Sequence, residues 1–216
     1  MKKHIVCYGD SNTHGYCAVT GGRFDEEERW TCLLKKYLGD DFLVLEEGLS
    51  GRTTCFEDPV HEGLSGLNHL HSCLMTHEPV DLLIIMLGTN DTKERFGVSA
   101  ASIALGLKRL IAKAKSTECW RDGIPNILVV TPQNIGREYS RTPCAATMGR
   151  GCAEKSEGLA KEYEAIAQST GCHYLDANAL LTAGPNDIDF MHLTEEGHGQ
   201  LAAGLASFLL GKIFTS

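Results

Sequence analysis

A doubly wound α/β fold, a parallel β-sheet with helices on both faces, is what this 216-residue chain predicts. Three observations lead there. Apolar runs of strand length alternate with segments of helical periodicity, the order expected of β-α-β units. One run, DLLIIML at 81–87, is apolar after its first residue, as in a central strand buried on both faces. Polar, glycine-containing stretches follow the first three strand-like runs, where parallel sheets place their working residues. With right-handed crossovers, the result is a three-layer α/β/α sandwich of five parallel strands, formed by residues 1–216 as one domain.

Taken in order, residues 5–8 (IVCY) read as the first strand. Trp30, Leu33, Leu34, Tyr37 and Leu38 fall at i, i+3, i+4, i+7 and i+8, one face of a helix, which Gly39-Asp40 ends. Residues 42–45 form the second strand. Leu64, Leu67, Leu70, Leu74 and Met75 make a weaker helical stripe. Strand three is 81–87. Residues 99–115 are an amphipathic helix with Ile103, Leu107, Leu110 and Ile111 on one side. Strand four is 127–130, stopped by Thr131-Pro132. Residues 153–168 are helical, 173–175 give a short fifth strand, and 195–214 close the chain as a helix. Glu195 and Glu196 sit in the first turn of that helix, where they complement the macrodipole. The segment 132–151 has no periodicity and exceeds the usual connection length. It carries Arg137, Arg141 and Arg150, and its roles to weigh are a cover for the site, a subunit contact or a mobile excursion.

Composition narrows the class. The net charge is -8, from 20 basic and 28 acidic residues, which disfavours nucleic acid or an anionic membrane as partner. No apolar run approaches the ~18 residues of a membrane span. The apolar run after the N-terminal lysines is shorter than a secretory h-region, typically ~7–15 residues. A cytoplasmic location is the expectation. Nine cysteines, odd in number, widely spaced and without a C-x-x-C pair, read as reduced thiols rather than a disulfide framework or metal site.

The stretch Gly9-Asp10-Ser11-Asn12 follows strand one and has two distant complements, Gly88-Thr89-Asn90-Asp91 and Asp189-Phe190-Met191-His192. Ester cleavage through serine needs a hydroxyl, a base, an orienter for that base and donors for the oxyanion. Ser11 supplies the hydroxyl, His192 the base and Asp189 its orienter. The Asn90 amide and the backbone N–H groups of Ser11 and Gly51 supply the donors. Each block alone is an ordinary turn or cap; their joint occurrence at strand ends carries the signal. Among other residues, His14 is a candidate for the substrate pocket. His198 reads as structural, Asp10 as a turn-fixing acceptor, Asp91 as a cap, and Arg52 as the partner of Glu46 or Glu47. His69 and His71 lie on different helix faces, and no metal site is expected. Neither Ser50 nor Ser65 completes a G-x-S-x-G elbow. No G-x-G-x-x-G or Walker pattern supports a nucleotide-binding reading.

On these blocks (GDS with Ser11, L-S-G with Gly51, G-T-N-D with Asn90, D-x-x-H with Asp189 and His192) the chain resembles the SGNH, or GDSL, hydrolase superfamily. The stretches EEGLSGRTT at 46–54 and IIMLGTNDTK at 84–93 are similar to a bacterial arylesterase/acyltransferase subgroup. The resemblance implies a flavodoxin-like five-stranded sheet and the catalytic set Ser11, His192 and Asp189, with an oxyanion hole of Ser11, Gly51 and Asn90. It implies no cofactor. Members of that subgroup cleave short-chain esters, some transfer the acyl group to alcohols, and several form homo-oligomers. The expected activity is therefore a serine esterase acting on a small-molecule ester. Alternatives on the same site are a carbohydrate O-acetylesterase, an acyltransferase, and a thioesterase or lysophospholipase. A non-enzymatic alternative is an inactive ligand-binding module of the same fold.

Overall fold

In the computed structural model, which describes residues 1–215, apolar runs become strands and amphipathic segments become helices in the predicted alternation. The chain opens with β1 (Lys3–Gly9) and the one-turn helix α1 (Ser11–His14). The hairpin strands β2 (Tyr16–Cys17) and β3 (Gly22–Arg23) follow, then α2 (Trp30–Leu38), β4 (Phe42–Gly48) and α3 (Gly66–Thr76). Next come β5 (Leu82–Met86), α4 (Ala100–Lys115) and β6 (Ile127–Thr131). Two short helices, α5 (Ala145–Met148) and α6 (Cys152–Glu157), precede α7 (Leu159–Thr170), β7 (His173–Asp176) and α8 (Glu195–Phe208).

The five long strands run parallel in the order β4-β1-β5-β6-β7. β1 pairs with β4 on one side and β5 on the other; Gly9 stands opposite both Gly48 and Met86. The sheet order therefore reverses at β1, and a crevice opens beyond the carboxyl ends of β1 and β5. Side chains alternate across the sheet with the strand period of two. Val6, Tyr8, Leu83, Ile85 and Val129 pack under α3, α4 and α7. Ile5, Cys7, Leu82, Ile84 and Leu128 pack under α2 and α8 with Trp30, Leu34 and Leu205. Full burial of such a side chain is worth about 1.5–3 kcal/mol relative to exposure, so the two cores carry the scaffold.

Several boundaries differ from the sequence reading. Tyr37 and Met75, placed on buried stripes, are exposed, while Trp30, Leu34, Leu70 and Leu74 are fully covered. Leu64 lies before α3 rather than in it. The helix expected over 153–168 is two helices that meet at Gly158, where a Cβ would lie 3.1 Å from that of Ala100. The last helix leaves α geometry at Leu209 for a π turn over Leu209–Ile213. β2 and β3, two residues each, are too short to leave a periodic trace.

The segment 132–151 has its own secondary structure. It holds a 3₁₀ turn at Arg137–Arg141 and helix α5. Ile135, Tyr139 and Met148 form a third, smaller core with Cys152, Ala153 and Met191. This arm lies over the sheet edge that carries Ser11.

Candidate active site

Ser11 begins α1, separated from the end of β1 only by Asp10. Asp10 caps this helix: its Oδ1 accepts the Asn12 N–H at 3.0 Å, the turn-fixing role read from the sequence. The Ser11 N–H is one of the first-turn donors that have no carbonyl partner within a helix.

Ser11 Oγ lies 2.8 Å from His192 Nε2, and His192 Nδ1 lies 2.7 Å from Asp189 Oδ2. Groups as far as 181 residues apart in sequence thus form one hydrogen-bonded line. The loop that presents His192 is tightly organised. Asp189 Oδ1 accepts from the backbone N–H of Met191 and His192 and from the Asn186 amide. Burial works to raise the Asp189 pKa, but the hydrogen bond and charge of His192, with these N–H donors, outweigh it and hold the carboxyl well below the usual range. Asn186 Oδ1 in turn accepts from the N–H of Ile188 and Asp189. Phe190, between Asp189 and His192, has φ of 59°, the left-handed region that side chains other than glycine avoid. Its carbonyl accepts the Gly136 N–H at 2.7 Å, which ties the loop to the 132–151 arm.

Asn12 joins the two halves. Its Oδ1 accepts the Leu193 N–H at 2.9 Å and its Nδ2 donates to the Met191 carbonyl at 3.3 Å, one contact on each side of His192. Trp30 Nε1 donates to the Asn12 carbonyl. Neither Asn12 nor Asn186 was singled out by the sequence. Asn12 stands within the first motif block and was legible as a candidate; Asn186 left no such signal.

Gly51 and Asn90 reach the same cavity of about 420 Å³ as Ser11, Asp189 and His192. Gly51 has φ of +89°, a left-handed turn that glycine takes without strain in the loop after β4. Asn90 Nδ2 donates one hydrogen to the Arg52 carbonyl at 3.2 Å, leaving its second for the cavity. Asp91 accepts from the Thr54 backbone N–H at 2.9 Å, fastening the loop after β5 to the loop after β4. It is a cross-brace rather than a cap. Burial pushes its pKa up to about 6 despite the Thr54 hydrogen bonds.

The arm lines the cavity with Thr142, Pro143, Cys144, Thr147 and Met148, the position expected of a cover for the site. Two further wall residues escaped the sequence reading. Tyr16 sets its ring 4.6 Å from that of His192. Lys93 contributes a nearly buried amine, 3.8 Å from Asp58, whose carboxylate is already paired with Arg95. Burial and the Arg95 charge lower the Lys93 pKa.

His14 lies outside the cavity lining; its pKa is lowered by burial and by the charge of Arg23. The backbone of its turn packs so closely on Gly48 that a Cβ there would overlap it. Arg52 pairs with neither Glu46 nor Glu47 through their carboxylates. It donates to the backbone carbonyls of Gly9 and Glu47 and lies 4.1 Å over the Tyr8 ring. Glu46 is held by Arg29 instead. His198 is fully buried, receives the Trp30 N–H at 3.3 Å, and is pushed down to about 3 by burial. A neutral imidazole packed edge-on to Phe24 suits the structural role expected for it. All nine cysteines are free thiols.

The model of the GDSL-like lipase/acylhydrolase family matches residues 7–200. The chain belongs to this family. As a GDSL-like acylhydrolase it is a carboxylic ester hydrolase, and solved structures agree with that. It is similar to the aryl esterase of M. smegmatis at 37% identity, with a TM-score of 0.89 over 97% of this chain and 99% of that one. A carbohydrate acetylesterase from Sinorhizobium meliloti, Est24, is 32% identical with a TM-score of 0.89 over 97% and 99% of the two chains. A putative arylesterase from Agrobacterium tumefaciens is 32% identical with a TM-score of 0.86 over the same shares. No curated protein sequence matches the acylhydrolase. Among the described residues, no helix of it is long and apolar enough to cross a membrane.

Proposed function

We propose that this acylhydrolase cleaves short-chain acyl esters of small molecules through an acyl-enzyme on Ser11. The observation that carries the reading is the 2.8 Å contact between Ser11 Oγ and His192 Nε2, in line with the 2.7 Å contact to Asp189. His192 takes the Ser11 proton as Oγ attacks the ester carbonyl carbon, and Asp189 stabilises the imidazolium that forms. The tetrahedral oxyanion is met by the N–H groups of Ser11 and Gly51 and by the free Asn90 amide hydrogen. Collapse expels the alcohol, which takes its proton from His192. Water then repeats the sequence and frees the acid. No step needs a cofactor.

Short acyl groups are favoured by the shape of the cavity. Its volume of about 420 Å³ is shared between both halves of the ester, and the arm residues Pro143 and Met148 stand in the wall. A carbohydrate O-acetylesterase is the second reading, favoured by the Sinorhizobium acetylesterase likeness. A panel of p-nitrophenyl esters of increasing acyl length, with acetylated sugars, acyl-CoA and lysophospholipid, tests both. The expected profile is highest kcat/KM for acetyl to butyryl esters and a steep fall beyond. A maximum on long-chain esters or lysophospholipid would refute the short-acyl reading.

Asn90→Ala is expected to lower kcat by ~10²–10³-fold with little change in KM, since an oxyanion donor acts in the transition state. A change confined to KM would place Asn90 in substrate binding instead.

A further inference from the structure

We infer that Glu47, Cys73 and His77 form a second, non-catalytic site that binds a zinc ion. Cys73 lies in the last turn of α3 and His77 is the residue that caps it, so the two are four apart on one face. Glu47 reaches the same point from β4, the strand at the edge of the sheet. One ligand atom from each of the three, Sγ, an imidazole nitrogen and a carboxylate oxygen, lies within 4.8 Å of the other two. Glu47 Oε1 is already 2.6 Å from His77 Nε2.

The donor set selects the metal. Thiolate and imidazole are ligands that zinc prefers, carboxylate completes its usual repertoire, and a Cys-x₃-His step on a helix suits its tetrahedral angles. Calcium and magnesium, which take oxygen ligands, find one carboxylate here. Glu47 and His77 keep 30% and 21% of their side chains exposed, enough for an ion and a water as fourth ligand to enter. An ordinary Glu-His pair explains two of the three groups but not the thiol beside them. Burial, followed by the Glu47 charge, pushes that thiol up to about 12. Binding breaks the S–H bond, the proton leaves to solvent, and the metal takes the freed sulfur lone pair. Zinc with one thiolate and one carboxylate is neutral, so filling the site cancels the Glu47 charge and leaves no net cation beside Arg52, whose guanidinium donates to the Gly9 and Glu47 carbonyls.

None of the three residues lines the cavity that holds Ser11, so the metal acts on the scaffold by pinning α3 to the sheet edge. The test uses metal-free, reduced, full-length protein titrated with Zn²⁺ against a chromophoric chelator, and with Co²⁺ as a spectroscopic substitute. One equivalent of Zn²⁺ is expected to bind and raise the melting temperature, and Co²⁺ to give a thiolate charge-transfer band. Cys73→Ser is expected to abolish the band. Loss of an outer-shell partner alone typically costs ~10–100-fold in metal affinity, so Glu47→Gln and His77→Gln are each expected to weaken Zn²⁺ binding by at least ~10-fold. Unchanged ester hydrolysis by metal-free Cys73→Ser shows that the variant is folded. No band in the wild-type protein, or a band that survives in Cys73→Ser, overturns the site whatever the fate of the Ser11 mechanism.

Discussion

Ser11→Ala is expected to lower kcat/KM for p-nitrophenyl acetate by at least ~10⁴-fold while the far-ultraviolet circular dichroism and melting temperature stay near those of the parent. Loss of the nucleophile from a serine-histidine pair removes the covalent route, and in such units the loss of one member costs nearly as much as loss of all, on the order of 10⁶ in kcat. The residual rate belongs to the oxyanion donors and to proximity. Structure is spared for a local reason. The Ser11 side chain makes its hydrogen bond only to His192, whereas α1 is capped by Asp10 and anchored by Asn12 and Trp30. A serine-directed phosphonate should add its mass to Ser11 in the parent and to nothing in the variant. Turnover within ~10-fold of the parent, or an adduct elsewhere, would remove Ser11 as nucleophile.

Asp189→Asn is expected to cost on the order of 10⁴ in kcat, the scale seen when the base loses its orienting carboxylate. Both carboxylate oxygens act as acceptors: Oδ2 from the imidazole, Oδ1 from two backbone N–H groups and the Asn186 amide. An asparagine has one oxygen. If its NH₂ faces the ring, Nδ1 must accept, the ring proton moves to Nε2, and Nε2 can no longer take the Ser11 proton. With the amide turned over, two backbone donors and the Asn186 amide meet an NH₂ group, and the loop that carries His192 is disturbed. Either orientation disables the base. Because the native carboxyl is held well below the usual range, Asp189 stays ionised across the working pH range. A fall in kcat/KM on the acid side therefore reports another group. Its depressed pKa also means that its contribution to stability is present above ~pH 4, the ordinary carboxylate range, and is lost as pH falls toward the folded value. Phosphonate inactivation rates for Asp189→Asn should fall in parallel with kcat; rates within ~10-fold of the parent in both assays would show that the carboxylate does not orient the base.

The sheet and the blocks at its edge were legible because they obey local rules. DLLIIML can be little but a buried strand, and a two-residue period divides β1 cleanly between the two cores. Ser11, Gly51 and Asn90 were legible because the ends of parallel strands converge on one edge. What was hidden depends on contacts between distant parts of the chain. Tyr16 meets His192 through a hairpin of two-residue strands that has no pattern to detect. Asn186 organises its loop by hydrogen bonds to backbone groups, which any polar residue advertises equally badly. His14 is close to Ser11 in sequence, yet the turn of α1 sends it away from the cavity. Arg52 was expected to seek a carboxylate, but it donates to two backbone carbonyls and lies over an aromatic face. The close approach of Ala100 to Gly158, from far earlier in the chain, is invisible to helical periodicity.

The arm over 132–151 and the loop that carries His192 are one mechanical part. Gly136 is bonded to Phe190, the Cys144 thiol sits 3.5 Å from the Asp189 carbonyl, and Met191 packs into the core of the arm. Selectivity and turnover are therefore expected to change together. Any mutational drift that widens the entrance for bulkier acyl groups tugs on the imidazole as well, so broadened substrate range should evolve here in company with compensating changes around Phe190 and Met191.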